Sequence, residues 1–161
     1  MRPVNVIRQT QRGISLVESL VALLVLSIGM LGIAALYVSS LRASGSALFR
    51  TQAVNFAADM ADRIRANPDA AAAYAGAEAD NGCVTGLAVG ADCSPIQLAA
   101  DDLFRWRAAI ATVMPDDGNA GTLQGTVAVA GVAAPRTYTI QVTWSEPTEP
   151  APLVYTLIMQ I

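Results

Sequence analysis

The sequence contains neither histidine nor lysine, and all ten of its positive charges are arginine. It therefore lacks the side chain most often used for acid–base catalysis near neutral pH, which is also the commonest metal ligand. Nucleophile systems in which histidine activates serine or cysteine are excluded. The net charge of −3 argues against non-specific binding of nucleic acid. We expect no enzyme activity, catalytic residue, metal site, cofactor, small-molecule substrate or nucleic-acid partner.

Cysteine is also scarce, with only Cys83 and Cys93 in the chain. Both lie in a polar segment that contains glycine, and nine residues separate them. Outside the cytoplasm, two cysteines at this spacing can close a disulfide. In the chain-entropy model such a loop contributes roughly 2–3 kcal/mol of stability. We expect a Cys83–Cys93 disulfide, with two unrelated buried thiols as the alternative.

Charge is absent from the apolar run 19–41, which has 23 residues. As a helix the run would be about 35 Å long, enough to cross a bilayer core of about 30 Å. Arg2, Arg8 and Arg12 precede it, and positive flanks stay on the cytoplasmic side. Glu18 lies at its entrance, where a carboxylate costs free energy unless it has a partner. These features predict a single membrane span whose C-terminal remainder lies across the membrane.

The segment Arg12-Gly13-Ile14-Ser15-Leu16-Val17-Glu18 resembles the processing site of type IV pilins and of the pseudopilins of type II secretion. The resemblance implies that a membrane peptidase cuts between Gly13 and Ile14, and that the new N-terminal Ile14 is methylated. It also implies that Glu18 is needed for assembly, by pairing with the amine of a neighbouring subunit. Ile14 departs from the commoner phenylalanine or methionine. An ordinary signal anchor with a chance glutamate is the alternative.

One long helix is predicted from Ser15 to about Ala66. After Arg42 it becomes amphipathic, with apolar residues at three- and four-residue spacing. Asn67-Pro68 should end it, because the residue before proline disfavours the α conformation. Asp59 and Arg63 are spaced for an i,i+4 pair, and Asp59, Asp62 and Asp69 are interpreted as a solvated face rather than as paired catalytic carboxylates. The apolar face comprises Phe49, Ala53, Phe56, Ala57, Met60 and Ile64.

A second helix should follow a loop that holds a helical turn near 70–75. The sequence Ser94-Pro95-Ile96-Gln97 is typical of a capping box with proline in the first turn. Arg105 and Arg107 are interpreted as surface charges on this helix. Its apolar face comprises Ile96, Ala99, Leu103, Trp106, Ile110 and Val113. The acidic segment 116–119 that follows is interpreted as a turn, since it lacks the full acidic spacing of a calcium loop.

Three strands are predicted near the C-terminus, at 122–129, 137–145 and 153–161. In the second, Tyr138, Ile140, Val142 and Trp144 alternate with polar residues, which is typical of a half-buried strand. Three antiparallel strands can pack one apolar face on an amphipathic helix. We therefore predict an α+β fold in which a long protruding N-terminal helix packs, through its second half, on a small antiparallel sheet.

Segments after the processing motif also resemble a known group, the PilV minor pilins, which modify or prime type IV pili. The similar segments are 15–29, 57–68, 102–107 with Met114-Pro115, and 138–144; the loop 69–92 is not diagnostic. The resemblance implies the same α+β pilin fold, a low-abundance structural subunit, and as partners other major and minor pilins, the prepilin peptidase and methyltransferase, and the assembly platform.

The same resemblance implies a division of the chain into three parts. Residues 1–13 would be a cleaved leader, 14–41 a transmembrane and assembly helix, and 42–161 a periplasmic domain. The protein would lie in the bacterial inner membrane before incorporation into the pilus. Two alternatives stay open, a minor pseudopilin of type II secretion and a membrane-anchored periplasmic adhesin or enzyme. The processing motif does not separate pilus from pseudopilus.

Overall fold

The computed structural model describes residues 15–83, 93–119, 121–131, 133–147 and 149–161. The chain divides between Ser44 and Gly45 into two units. A single helix, α1, runs from Leu16 to Ala66 and contributes to both units. Its bounds agree with the prediction, and it ends directly before Asn67-Pro68.

The first unit consists of the apolar part of α1. The hydroxyl oxygen of Ser15 accepts a hydrogen bond from the Glu18 amide at 3.3 Å, which satisfies one amide of the first helical turn. From Leu16 to Ser44 every side chain is exposed in the isolated chain. Leu16 is 78% exposed and Leu36 is 73% exposed, so this apolar surface meets no other described part of the unit.

The second unit begins with the amphipathic part of α1. The predicted apolar face is confirmed, because its small and medium-sized members are buried and its two phenylalanines pack against the same core. The buried residues of α1 are Ala53, Ala57, Met60, Ala61 and Ile64. The alanines leave room for larger side chains from the rest of the unit, as close packing requires.

A 3₁₀ helix, Pro68–Ala75, follows α1 and extends the predicted helical turn toward the N-terminus. The second α-helix, α2, runs from Pro95 to Val113. Its capping box forms as predicted, with the Gln97 amide donating to Ser94 Oγ at 3.3 Å and the Ser94 amide donating to Gln97 Oε1 at 2.9 Å.

The predicted apolar face of α2 is correct in its centre and wrong at its ends. Ala99, Leu103, Trp106 and Ile110 are buried. Ile96 is 66% exposed and Val113 is 44% exposed, since they lie in the first and last turns, where the core no longer covers the helix.

Three antiparallel strands form one sheet in the order β1-β2-β3. Their bounds are Gln124–Ala130 for β1, Thr137–Trp144 for β2 and Leu153–Gln160 for β3. All three predicted strands are present, although the first begins two residues later than expected. The alternation in β2 is confirmed, with each of its four apolar residues buried. The predicted α+β fold, with a long N-terminal helix and a small antiparallel sheet, is therefore confirmed.

The contact between α2 and β1 depends on Gly125. A Cβ atom at this position would lie 2.5 Å from the Trp106 ring and 2.7 Å from Ile110 Cδ1. The missing side chain lets the helix and the strand approach closely, which is a recurrent use of glycine within strands. Trp106 in turn joins α2 to α1, because its Nε1 donates to the Phe56 carbonyl oxygen at 2.8 Å.

We expect Trp106→Ala to lower the free energy of unfolding of the second unit more than the substitution of any exposed residue does. Truncating a fully buried tryptophan typically costs about 3–5 kcal/mol, and here the Phe56 carbonyl also loses a donor. Trp106→Phe, which keeps most of the volume, should cost clearly less. Denaturant unfolding of the full chain in detergent, followed by fluorescence of Trp144, measures both. Equal midpoints for wild type and Trp106→Ala would contradict the central position of this side chain.

Candidate functional site

The beginning of α1 is the first candidate site. Glu18 lies in the first helical turn, and its side chain is exposed. A carboxylate there is favoured by the positive end of the helix dipole. In the described chain, no arginine forms an ion pair with Glu18. Gly13 and Ile14 lie outside the described residues, so the cut bond, the methylated residue and the role of Glu18 stay predictions from the sequence.

The surface of the same segment is apolar on all sides. Within the described residues, α1 is the one helix long and apolar enough to cross a membrane, judged by length and composition. Soluble monomers rarely expose contiguous apolar patches above a few hundred Å², and this run continues from Leu16 to Leu41. The segment therefore requires an apolar environment, either lipid or other helices. The Glu18 carboxyl group then lies at the edge of that environment.

A second group of residues secures the loop before α2. The predicted disulfide between Cys83 and Cys93 is present. Segment 79–83, which ends at Cys83, lies along α2. The Ala79 amide donates a hydrogen bond to the Ala100 carbonyl oxygen at 3.1 Å. Asn81 makes two further bonds, from its amide to Asp101 Oδ1 and from Nδ2 to the Gln97 carbonyl, both at 2.9 Å. We call segment 79–83 with its attachments the clamp.

Arginines of α2 complete the clamp, where these partly exposed surface charges are paired with acidic residues. Arg105 Nε lies 2.7 Å from Asp101 Oδ2, and its NH2 nitrogen lies 3.8 Å from Asp80. Arg107 pairs with Glu78 at 3.1 Å and donates from Nε to the Gly125 carbonyl at 2.8 Å. Both arginine side chains are about two-thirds covered. In the sequence, the i,i+4 spacing of Asp101 and Arg105 indicates their ion pair. No sequence pattern indicates the contacts that Arg107 makes with Glu78 and Gly125.

Asp101 is the buried centre of the clamp. Its burial opposes ionisation, but hydrogen bonds from Arg105 and from the amides of Asn81 and Cys83 outweigh that effect and lower the pKa of Asp101. A folded-state pKa below the unfolded value contributes stability at pH above about 4, and this contribution is lost as the pH falls through the folded pKa.

We therefore expect Asp101→Asn to lower the free energy of unfolding at pH 7 by about 1–3 kcal/mol, because Arg105 loses its charged acceptor. The variant should also show a weaker loss of stability between neutral and acidic pH than wild type. Denaturant titrations at several pH values measure both effects. Asp62→Asn is the matched control, since the Asp62 side chain is 76% exposed. Identical pH profiles for Asp101→Asn and wild type would refute the assignment.

A second polar network fixes the end of α1. Asp102 pairs with Arg63 at 3.0 Å and accepts the Tyr74 hydroxyl at 2.9 Å. Asn67 Nδ2 donates to the Pro95 carbonyl at 2.9 Å. The predicted pair of Asp59 and Arg63 is present at 3.0 Å. Burial raises the pKa of Tyr74, and Asp102 adds to this rise. The network joins α1, the 3₁₀ helix and α2. Of its contacts, only the Asp59–Arg63 ion pair is predicted by the sequence.

The acidic segment after α2 forms a turn, as expected from its sequence. The Gly118 amide donates to Asp116 Oδ1 at 3.1 Å, and the Asn119 amide donates to Asp117 Oδ1 at 2.9 Å. The Thr122 hydroxyl and the Asn119 amide lower the pKa of Asp117 to about 2. These carboxylates thus serve as acceptors within the turn.

Two family models match the chain. The model described as type IV pilin Tt1218 matches residues 35–104, which include part of α1, the 3₁₀ helix, segment 79–83 and the first half of α2. The model described as the prokaryotic N-terminal methylation motif matches residues 8–34, which include Glu18 and most of the apolar run. No curated protein and no solved structure matched the chain significantly.

Proposed function

Because the chain belongs to the type IV pilin-like family, we propose that it is a minor pilin, a structural subunit that enters a type IV pilus after its leader is removed. One observation supports the proposal above others. Glu18 lies in the first turn of α1, directly before the exposed run 19–41 that carries no charge, and the methylation motif matches residues 8–34. The pilin family is structural, and we propose no enzymatic role for this chain.

In the proposed sequence of events, residues 14–41 first span the inner membrane. The leader 1–13, with its three arginines, stays in the cytoplasm, and residues 42–161 form the periplasmic domain. The prepilin peptidase then cuts after Gly13 and methylates Ile14. The assembly platform finally transfers the chain into a fibre of major and minor pilins.

An ion pair formed by Glu18 would favour this transfer. Cleavage creates an amine at Ile14, one helical turn before Glu18. In an apolar fibre core an unpaired carboxylate and an unpaired amine each cost several kcal/mol, whereas a pair of them offsets most of that cost. We propose that Glu18 pairs with the amine of a neighbouring subunit and thereby fixes the axial position of the chain. Burial of the exposed apolar run would supply the cohesive free energy.

The direct test is to shear fibres from cells that express the chain and to identify it by mass spectrometry. We expect a mature N-terminus at Ile14 that carries a methyl group, in fibres that also contain a more abundant pilin. Cells that lack the pilus assembly ATPase serve as control and should retain the processed chain in the membrane. Recovery of the chain only with a type II secretion complex, while pili are present, would reject the proposal in favour of a pseudopilin.

A further inference from the structure

The free edge of β3 is unusual for a protein surface. β3 pairs with β2 on one side, and on its other side no backbone group forms a hydrogen bond with the rest of the described chain. The sequence from Leu153 to Ile161 contains no charge, no glycine and no proline. Proteins usually protect an exposed edge with lysine, proline, a bulge or a covering element. β3 has none of these among its own residues.

The opposite edge of the same sheet is contacted by α2 at one end of β1. On β1, Arg107 of α2 donates to the carbonyl of Gly125 at 2.8 Å. Trp106 and Ile110 pack on the inner face of β1 at Gly125, which brings Arg107 close to this edge. The two edges therefore differ at this point, because the Gly125 carbonyl has a side-chain donor whereas no such bond is seen along β3 in the described chain.

The outward face beside this edge is uncharged. The outward residues of all three strands are alanine, threonine, glutamine, valine and isoleucine. Val154 is 54% exposed and Ile158 is 64% exposed, and both belong to β3. Outside the first 13 residues the chain carries thirteen acidic residues and seven arginines. On so acidic a protein, the uncharged face is suited to a partner that also lacks charge at the contact.

A groove at the start of β3 adds a charged feature. It has a volume of about 210 Å³ and is mainly apolar, and it is lined by Arg50, Val54, Trp144, Leu153, Val154 and Tyr155. Val54 is 43% exposed. Arg50 is exposed and forms no ion pair with any residue that the structure describes. A carboxylate at this end of an added strand would complement Arg50.

We propose that the free edge of β3 binds an extended, mainly apolar segment of a neighbouring pilin subunit as a fourth strand, with a carboxylate at one end of that segment facing Arg50. Backbone hydrogen bonds along the edge would supply affinity, and Val154 and Ile158 would select β-branched or apolar side chains. The inference rests on the proposed function, since that function supplies the neighbouring subunits. Lipid is excluded as the occupant because it cannot satisfy a row of amide and carbonyl groups.

Photo-crosslinking in cells that assemble fibres tests the contact. A photoreactive amino acid replaces Ile158 in the full chain, and Ala128 serves as the matched control. Ala128 lies on the same face and the same rung, since both residues pair with Thr139, but on the opposite edge of the sheet. We expect adducts with the apolar part of a pilin segment from position 158, about tenfold more than from position 128, because the proposed fourth strand pairs with the β3 edge and not with the β1 edge. Equal yields, a second copy of this chain as the adduct, or no protein adduct would overturn the proposal.

A charge introduced at the edge should have a functional effect. Ile158→Lys should lower incorporation into sheared fibres about tenfold, because an edge charge disfavours strand pairing. Ala128→Lys should leave incorporation within about twofold of wild type. Retained leader cleavage and an intact Cys83–Cys93 disulfide show that the variants fold. Wild-type levels of Ile158→Lys in fibres would reject the fourth strand alone, whereas absence of the wild-type chain from fibres would reject the proposed function itself.

Discussion

Glu18→Ala should be processed and held in the membrane like wild type, yet be nearly absent from fibres. The leader and the cut bond are unchanged, so the peptidase still has its substrate. In the fibre, however, the neighbouring amine loses its counter-charge in apolar surroundings. Breaking a buried pair typically costs about 3–5 kcal/mol, which corresponds to a fall in incorporation of about a hundredfold or more. Quantitative immunoblots of sheared fibres and membranes measure the ratio.

Ser19→Ala is the matched control for this experiment. It removes a polar group from the adjacent position of the same exposed helix turn without changing charge. We expect its incorporation to stay close to that of wild type. If Glu18→Ala enters fibres at the wild-type level, the proposal that Glu18 fixes the axial position of the chain is wrong, however the control behaves.

Gly13→Val should block maturation almost completely. The resemblance to type IV pilins implies that the peptidase accepts glycine before the cut bond, and a branched side chain would occupy the space that glycine leaves open. The chain should then keep its 13-residue leader and should enter no fibre. The mass of the intact chain, extracted from membranes, reports this directly.

Gly32→Val is the bulk-matched control for cleavage. Gly32 lies in the exposed part of α1, where an added Cβ meets no atom within 4 Å. Its cleavage should therefore be complete, because the change is remote from the cut bond. A mature N-terminus at Ile14 in the Gly13→Val variant would show that the processing site lies elsewhere.

Local patterns allowed most of the fold to be predicted from the sequence. The long helix follows from an apolar run that continues into three- and four-residue spacing, and Asn67-Pro68 fixes its end. In β2 the alternation of Tyr138 to Trp144 identified the buried face correctly. Such features depend on neighbours within a few residues, so the sequence alone contains them. Errors arose at Ile96 and Val113, where burial depends on how far the core extends.

The contacts between distant residues were not predictable in the same way. Arg107 reaches the carbonyl of Gly125, 18 residues away, and Arg63 reaches Asp102, 39 residues away. No periodicity connects such positions, and each bond exists only because the fold has brought two elements together. The same holds for the open edge of β3, since the sequence predicts a strand there but not the order of strands in the sheet.

The clamp has a consequence for the lifetime of the protein. Segment 79–83 has no regular helix or strand, and its attachments lead to α2. It can therefore detach without any loss of the apolar core, as low-stability regions of native proteins do. Proteases cut such locally opened segments first. By tying Cys83 to Cys93 close to the start of α2, the disulfide keeps a detached segment near its binding surface. Faster reattachment would leave proteases less time to act on the opened segment, so we expect the disulfide to slow degradation of the folded chain.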